Sequence, residues 1–100
     1  MTGLVVDDDE DILVLHGEFD MAQTAVFAAS AAPWVEGVRS ADLILDLADL
    51  SFVDSSAIRA LLQLAKALGP RRLRLRAPQP MVRKVLELTS LTDCPNIELI

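Results

Sequence analysis

Apolar positions follow two rhythms along this chain, one suited to strands and one to helices. Leu4-Val5-Val6 and Ile12-Leu13-Val14-Leu15 are short apolar runs on either side of the acidic stretch Asp7 to Asp11. They predict a β-hairpin with an acidic turn, ended by Gly17. Asp20 followed three residues later by Gln23 has capping-box spacing. Met21 to Ala32 then reads as an alanine-rich helix with Ala22, Val26 and Ala29 on one face. Pro33 interrupts that pattern, and Trp34 to Ser40 fits either a further helical turn or a loop. Leu43 to Leu47 is almost continuously apolar, which predicts a central strand covered on both faces.

The second half is more regular. From about Asp54 to Leu68, Ile58, Leu61, Leu62, Ala65 and Leu68 fall on one helical stripe, and Gly69-Pro70 stops the helix. Arg72-Leu73-Arg74-Leu75-Arg76 alternates with period two and predicts a strand with leucines inward and arginines outward, less covered than its neighbours. Pro78 and Pro80 introduce a last helix from about Met81 to Leu91. On it Val82, Leu86 and Thr89 share a line, with Val85 and Leu88 beside them. Ile97 to Ile100 reads as an end strand. A hairpin followed by alternating strands and helices implies an α/β fold in a single domain over residues 1–100. Its architecture would be a small mixed β-sheet with an N-terminal β-hairpin, packed by about three to four helices.

Composition narrows the classes. With 100 residues, 52% of them hydrophobic, and a mean hydropathy of +0.38, the chain has material for one buried core. A net charge of -6 and a pI near 4.5 argue against nucleic-acid binding, which needs clustered Lys and Arg, and favour a partner with a basic face. One cysteine, Cys94 beside Pro95, permits neither an internal disulfide nor metal-ligand spacing. It reads as a small, semi-buried filler in a protein of a reducing cytosol. No stretch approaches the roughly 20 apolar residues of a membrane span, and Met1-Thr2-Gly3 lacks a signal peptide's basic flank. Both point to a cytoplasmic protein without membrane insertion.

The segment Phe52-Val53-Asp54-Ser55-Ser56-Ala57-Ile58 carries the chemistry. An apolar strand runs into a serine pair that opens a helix, with Asp54 or Ser55 as the natural N-cap. A phosphate placed there would meet free backbone N–H groups and the positive end of the helix dipole, a local gain of roughly 0.3–1 kcal/mol. It would leave the helix standing while adding about 1.5–2 negative charges to anything docked on it. On spacing alone the segment is either a plain cap or such a switch.

Asp54-Ser55-Ser56-Ala57-Ile58 after Leu45-Asp46-Leu47, with Gly17-Glu18-Phe19-Asp20 before and Val82-Arg83 leading to Leu86-Glu87-Leu88-Thr89-Ser90-Leu91 after, resembles the STAS domain of anti-sigma-factor antagonists. The likeness runs from about Leu13 to Leu91. It implies a non-enzymatic protein, without cofactor, that binds an anti-sigma factor of histidine-kinase-like ATPase fold and so regulates transcription indirectly. It further implies that this partner phosphorylates the first serine of the pair, here Ser55, and that a metal-dependent serine phosphatase reverses the change. By the same resemblance Asp54, Ser56, Arg59 and Gln63 belong to the partner contact, with Glu18 and Asp20 in the neighbouring loop. Two positions depart from the family: Ala57 and Ser90 stand where glycine is usual. An added methyl at residue 57 would narrow a partner's approach.

Other readings compete. STAS domains also serve as subunits of membrane lipid-transport ATPases and as regulatory modules of anion transporters. Leu4 to Ile12 is similar to the acidic opening of a response-regulator receiver, with Asp46 as its candidate phosphoacceptor. Against that, Ile12 to Gly17 is strand-like where a receiver needs a helix, and Ala77-Pro78 replaces the lysine-proline pair. Hydrolase chemistry at Ser55 would need a base, and the single histidine, His16, reads as a strand-end residue with no catalytic task. The 4 glycines form no phosphate loop, so nucleotide belongs to the partner. Trp34 reads as a partly buried cover for the core.

Overall fold

The computed structural model describes residues 3–9, 11–89 and 91–100. Glu10, in the expected acidic turn, and Ser90 lie outside them. Five strands, β1 (Leu4–Asp9), β2 (Ile12–Phe19), β3 (Asp42–Val53), β4 (Arg72–Arg76) and β5 (Ile97–Leu99), form one sheet in chain order. β1 is antiparallel to β2, and β2 through β5 run parallel. Three helices fill the crossovers: α1 (Thr24–Gly37), α2 (Ser55–Ala67) and α3 (Pro80–Leu88). Two 3-10 turns, Met21–Gln23 and Leu91–Asp93, precede α1 and β5. The mixed α/β architecture with an N-terminal hairpin is as the periodicity implies.

Each crossover moves one strand further in the same direction, so right-handed connections put all three helices on one side of the sheet. The register agrees. Leu13 pairs with Leu45, Leu43 with Leu73, Leu45 with Leu75, and Leu73 with Ile97, which lines these residues up beneath the helices. All of these leucines are at most 2% exposed and join one continuous core with Phe27, Trp34, Ile58, Leu61, Val82 and Leu86. β3 is therefore covered on one face only: Leu43, Leu45 and Leu47 are buried while Ile44 and Asp46 are half-buried on the other. Continuous apolarity misled here because Ile44 sits on the open side. Nor is β4 less covered than β3, since it lies inside the sheet with Leu73 and Leu75 fully buried.

The hairpin is longer than its apolar runs. Asp7, Asp8 and Asp9 are paired strand residues, and β2 continues through Gly17 to Phe19. Gly17 can stay in the ladder because its φ of +95° is open to glycine, and a Cβ there would lie 2.1 Å from the Gly3 carbonyl oxygen. His16 is accordingly inside a strand, not at its end. Its register partner is Asp49, because β3 accommodates two irregularities against β2, between Val14 and His16 and between Gly17 and Glu18. Beyond Leu47 these bulges change the inward spacing from two to three, so Leu50 and Val53 are buried while Phe52 is 42% exposed.

α1 buries Phe27, Ala31 and Trp34, not the expected line of Ala22, Val26 and Ala29. The bulky rings outcompete alanine for the core: Phe27 stacks tilted on Phe19 at 4.9 Å, and the fully buried Trp34 donates its indole N–H to the Asp11 carbonyl at 2.8 Å. That anchor carries the helix past Pro33, which lies on the exposed side. Asp20 caps the 3-10 turn through the Ala22 N–H, while the Gln23 side chain accepts from the Leu4 N–H, so no reciprocal capping box forms. α2 buries Ile58, Leu61 and Ala65, with Leu68 at its C-cap, as its stripe predicts, but it adds Ala57 and leaves Leu62 half-buried. α3 ends at Leu88, which is 75% exposed, and Leu91 is buried from the following turn instead. Cys94 is half-buried against the core.

Two outcomes follow from this packing. Leu61→Ala, at a site with no solvent exposure, lowers stability by about 2–5 kcal/mol in denaturant titration. Burial pushes the Asp46 carboxyl up, but the Ala48 N–H, the hydrogen-bonded Arg76 guanidinium and the nearby His16 together hold its pKa below the usual 3.8. The stability it contributes is then complete above the unfolded pKa and is lost as pH falls through the lower folded value. Asp46→Asn therefore loses stability relative to the native chain at neutral pH, and that difference shrinks on acidification below about pH 4.

Candidate functional site

β2 and β3 end side by side, with Glu18 opposite Phe52 and Phe19 opposite Val53. Their carboxyl ends lead into the 3-10 turn and into α2, a position where loops of parallel sheets gather functional groups. Asp54 is the hinge of this rim. Its backbone N–H donates to the Phe19 carbonyl at 3.3 Å, continuing the β2–β3 ladder by one residue. Its φ of -116° and ψ of -174° are extended, as an N-cap requires. One carboxylate oxygen then accepts from the Ala57 N–H at 3.0 Å, and the other from the Met21 N–H at 3.2 Å. A single side chain thus starts α2 and ties it to the turn after β2.

Ser55 is the first residue of α2 and is exposed. No side-chain hydrogen bond engages its hydroxyl among the described contacts. Arg59 and Gln63 follow at one and two helical turns, both exposed on the same stripe. Ser56 is half-buried. Asp20 and Glu18, both half-buried, stand on the adjoining strand end and turn. The structure so brings Glu18, Asp20, Asp54, Ser55 and Ser56 to one rim. Gln63 is set apart from that cluster, where it lines a groove of about 640 Å³ between α1 and α2 together with Phe27, Ala31 and Leu64.

Three apolar residues of this rim were not found from sequence. Met21 is 72% exposed beside the Asp54 carboxylate, and Phe52 and Met81 are 42% and 69% exposed over a small cleft floored by Val53, Val82 and Val85. Phe52 read as a strand residue, and only the bulges of β3 turn it outward. Met81 gave a weak signal, as an apolar residue off the core line of α3.

A match to the family model described as STAS domain extends over residues 4–99. The chain belongs to the STAS domain family. No curated protein matches the sequence at a significant level. Among solved structures it is similar to SpoIIAA, the anti-sigma factor antagonist and cell fate determinant of Bacillus. Against the unphosphorylated form the TM-score is 0.66 at 23% identity, over 98% of this chain and 88% of that one. Against the phosphorylated form it is 0.63 at 22% identity, over 98% and 91%. An anti-sigma factor antagonist from Mycobacterium paratuberculosis aligns with a TM-score of 0.74 at 22% identity, over 95% of this chain and 83% of that one. The murine anion transporter Slc26a9 aligns with a TM-score of 0.66 at 16% identity, over 91% of this chain and 16% of the transporter. At these identities the structural likenesses establish the fold.

Membership in the STAS family removes the receiver alternative. Asp7 and Asp9 belong to a strand paired with β2, and Asp46 is engaged by Arg76 on the open side of the sheet. No cluster of potential metal ligands occurs among the described residues. Hydrolase chemistry at Ser55 finds no base in His16, whose two ring nitrogens lie 3.0 and 3.1 Å from the Asp7 and Asp49 carboxylates. The Ala57 departure also takes a different meaning. Residue 57 is completely buried beneath the helix start, so its methyl faces the core and does not narrow a partner's approach.

Asp54→Ala removes both carboxylate contacts and costs about 0.5–2 kcal/mol in thermal or denaturant unfolding. Asp54→Ser keeps a capping oxygen without the reach to Met21, and its loss is the smaller of the two.

Proposed function

We propose that this STAS domain is an anti-sigma-factor antagonist whose binding is switched off by phosphorylation of Ser55. The observation that carries the reading is the exposed, uncommitted hydroxyl at the start of α2, with the capping duty already assigned to the neighbouring Asp54. A side chain that caps a helix is constrained by that role, whereas Ser55 is free to change chemistry without disturbing the fold. SpoIIAA, which exists in unphosphorylated and phosphorylated forms, supports the comparison at the level of fold.

The partner would be an anti-sigma factor of histidine-kinase-like ATPase fold that supplies both the nucleotide and the phosphoryl group, and a serine phosphatase would restore the hydroxyl. Glu18, Asp20, Asp54, Ser56, Arg59 and Gln63 would surround the contact, with Met21 and Phe52 as apolar additions. Carboxylates of this rim suit a basic partner face. Phosphorylation adds about 1.5–2 charges beside Asp54. A loss of only about 2.8 kcal/mol in docking excludes a partner 100-fold. Arg59, four residues along the same stripe, would meet the phosphate locally and limit strain in the helix itself. Such a protein would act in the cytoplasm, and no described helix is long and apolar enough to cross a membrane.

The similarity to a segment of Slc26a9 favours a second reading, a STAS module that regulates a membrane transporter and needs no phosphorylation at Ser55. Incubation with the candidate anti-sigma factor and ATP, followed by phosphopeptide mapping, separates them. Label on Ser55 supports the switch; label confined to Ser56 overturns the assignment to Ser55, and no label favours the second reading. Ser55→Ala keeps binding and takes up no phosphate. Ser55→Asp weakens binding at least tenfold while shifting the melting temperature by no more than about 4 °C.

A further inference from the structure

Parallel sheets are almost always covered on both faces, yet four strands of this sheet run parallel with the described helices on one side only. The open face carries Val5, Asp7 and Asp9 on β1, Ile12, Val14 and His16 on β2, and Asp42, Ile44 and Asp46 on β3. β4 follows with Arg72, Arg74 and Arg76. Val5 is 58% exposed, and Ile12, Val14 and Ile44 are half-buried. The charge is graded: the charged groups on this face are all acids on β1 and all arginines on β4, while Ile12, Val14 and Ile44 lie between them beside His16, Asp42 and Asp46.

The ladder fixes the heights of these groups. Asp7 pairs with Val14, Val14 with Asp46, and Asp46 with Arg76. Asp9 pairs with Ile12, whose neighbour Leu13 pairs with Leu45, and Ile44 pairs with Arg74. Asp7 and Arg76 therefore share one level across the strands, and Asp9 and Arg74 share another. β1 and β4 also lie at equal distances from the line between β2 and β3. A two-fold axis along that line stacks two sheets so that β1 of each copy crosses β4 of the other and β2 crosses β3.

We propose that the open sheet face is a self-association surface occupied by a second copy of this chain about that axis. Asp7 and Asp9 of each copy oppose Arg76 and Arg74 of the other, and Ile12 meets Ile44 at the centre. Intrachain partners already fix three of these groups on this face: Arg76 is held by Asp46, Arg74 by Glu98 at 2.9 Å and Asp42 at 3.8 Å, and Asp7 by the His16 ring at 3.0 Å. Five strands spaced by about 4.8 Å offer only about 500 Å² per copy, below the roughly 800 Å² of a standard interface. Association is then weak and concentration-dependent. Ser55 lies at the start of a helix on the opposite layer and stays free in both copies, so the proposal does not depend on the phosphorylation switch.

Sedimentation velocity on the native chain, from about 10 μM to about 1 mM, should show a reversible monomer–dimer equilibrium that weakens as salt is raised to about 1 M. Asp9→Arg alone and Arg74→Glu alone each place like charges in contact twice and reduce dimer affinity at least tenfold. Mixed in equal amounts, the two variants regain both attractions and form a heterodimer. Circular dichroism confirms that each is folded. Dilution of the native chain, followed by amide NMR, should move the signals of Ile12, Val14 and Ile44 and leave those of α2 in place, a readout that needs no substitution. A monomer throughout the range, a dimer indifferent to both variants, a mixture that stays monomeric although both variants are folded, or shifts confined to other surfaces would overturn the proposal.

Discussion

The leucine layer under the sheet is the constraint from which the rest of this molecule follows. Leu43, Leu45 and Leu47 on β3, flanked by Leu13, Leu15, Leu73 and Leu75, accept all three helices on one side. Because each parallel strand must be reached by a crossover of the same hand, apolar residues on this face serve three connections at once. The strand ends that emerge beyond the layer are then free of packing duty. That is where the Asp54 and Ser55 rim lies.

The rim is shaped by departures from regularity. Two bulges in β3 bring Leu50 and Val53 inward at a spacing of three, turn Phe52 to solvent, and place Asp49 opposite His16. Ser51 seals one of them by donating its hydroxyl to the Gly17 carbonyl at 3.0 Å. Asp54 then converts the end of the strand into the beginning of a helix through two backbone and two side-chain contacts, to Phe19, Ile58, Ala57 and Met21. A residue that holds four neighbours in this way leaves the next position unburdened, and Ser55 is that position.

Much of this was legible in the chain. The stripe of α2, the alternation of β4 and the stop at Gly69-Pro70 transfer directly because each rests on a local rule with little competition. The hairpin was underestimated because aspartates on an exposed strand edge look like a turn, and because Gly17 looks like a stop when it is instead a strand residue with positive φ. The face of α1 was misplaced by favouring alanine over two aromatic rings seven residues apart, Phe27 and Trp34. The serine pair and its acidic neighbours were readable from their order in the chain. The apolar part of the rim was hidden, because a bulge in a strand leaves no periodic trace.

Polar side chains knit the opposite end of the sheet. Arg71 donates to the carbonyls of Val35, Val38 and Ser40 at the close of α1. Asn96 reaches the Ala65 carbonyl at the end of α2 and the Arg71 carbonyl before β4. Helices, strands and connecting loops are riveted together at this base, while the rim at the far end is held chiefly by one aspartate. Polar anchoring is thus shared unevenly along the strand axis: the base ties α1, α2, β4 and β5 to one another, whereas the rim leaves side chains such as Met21 open to a visitor.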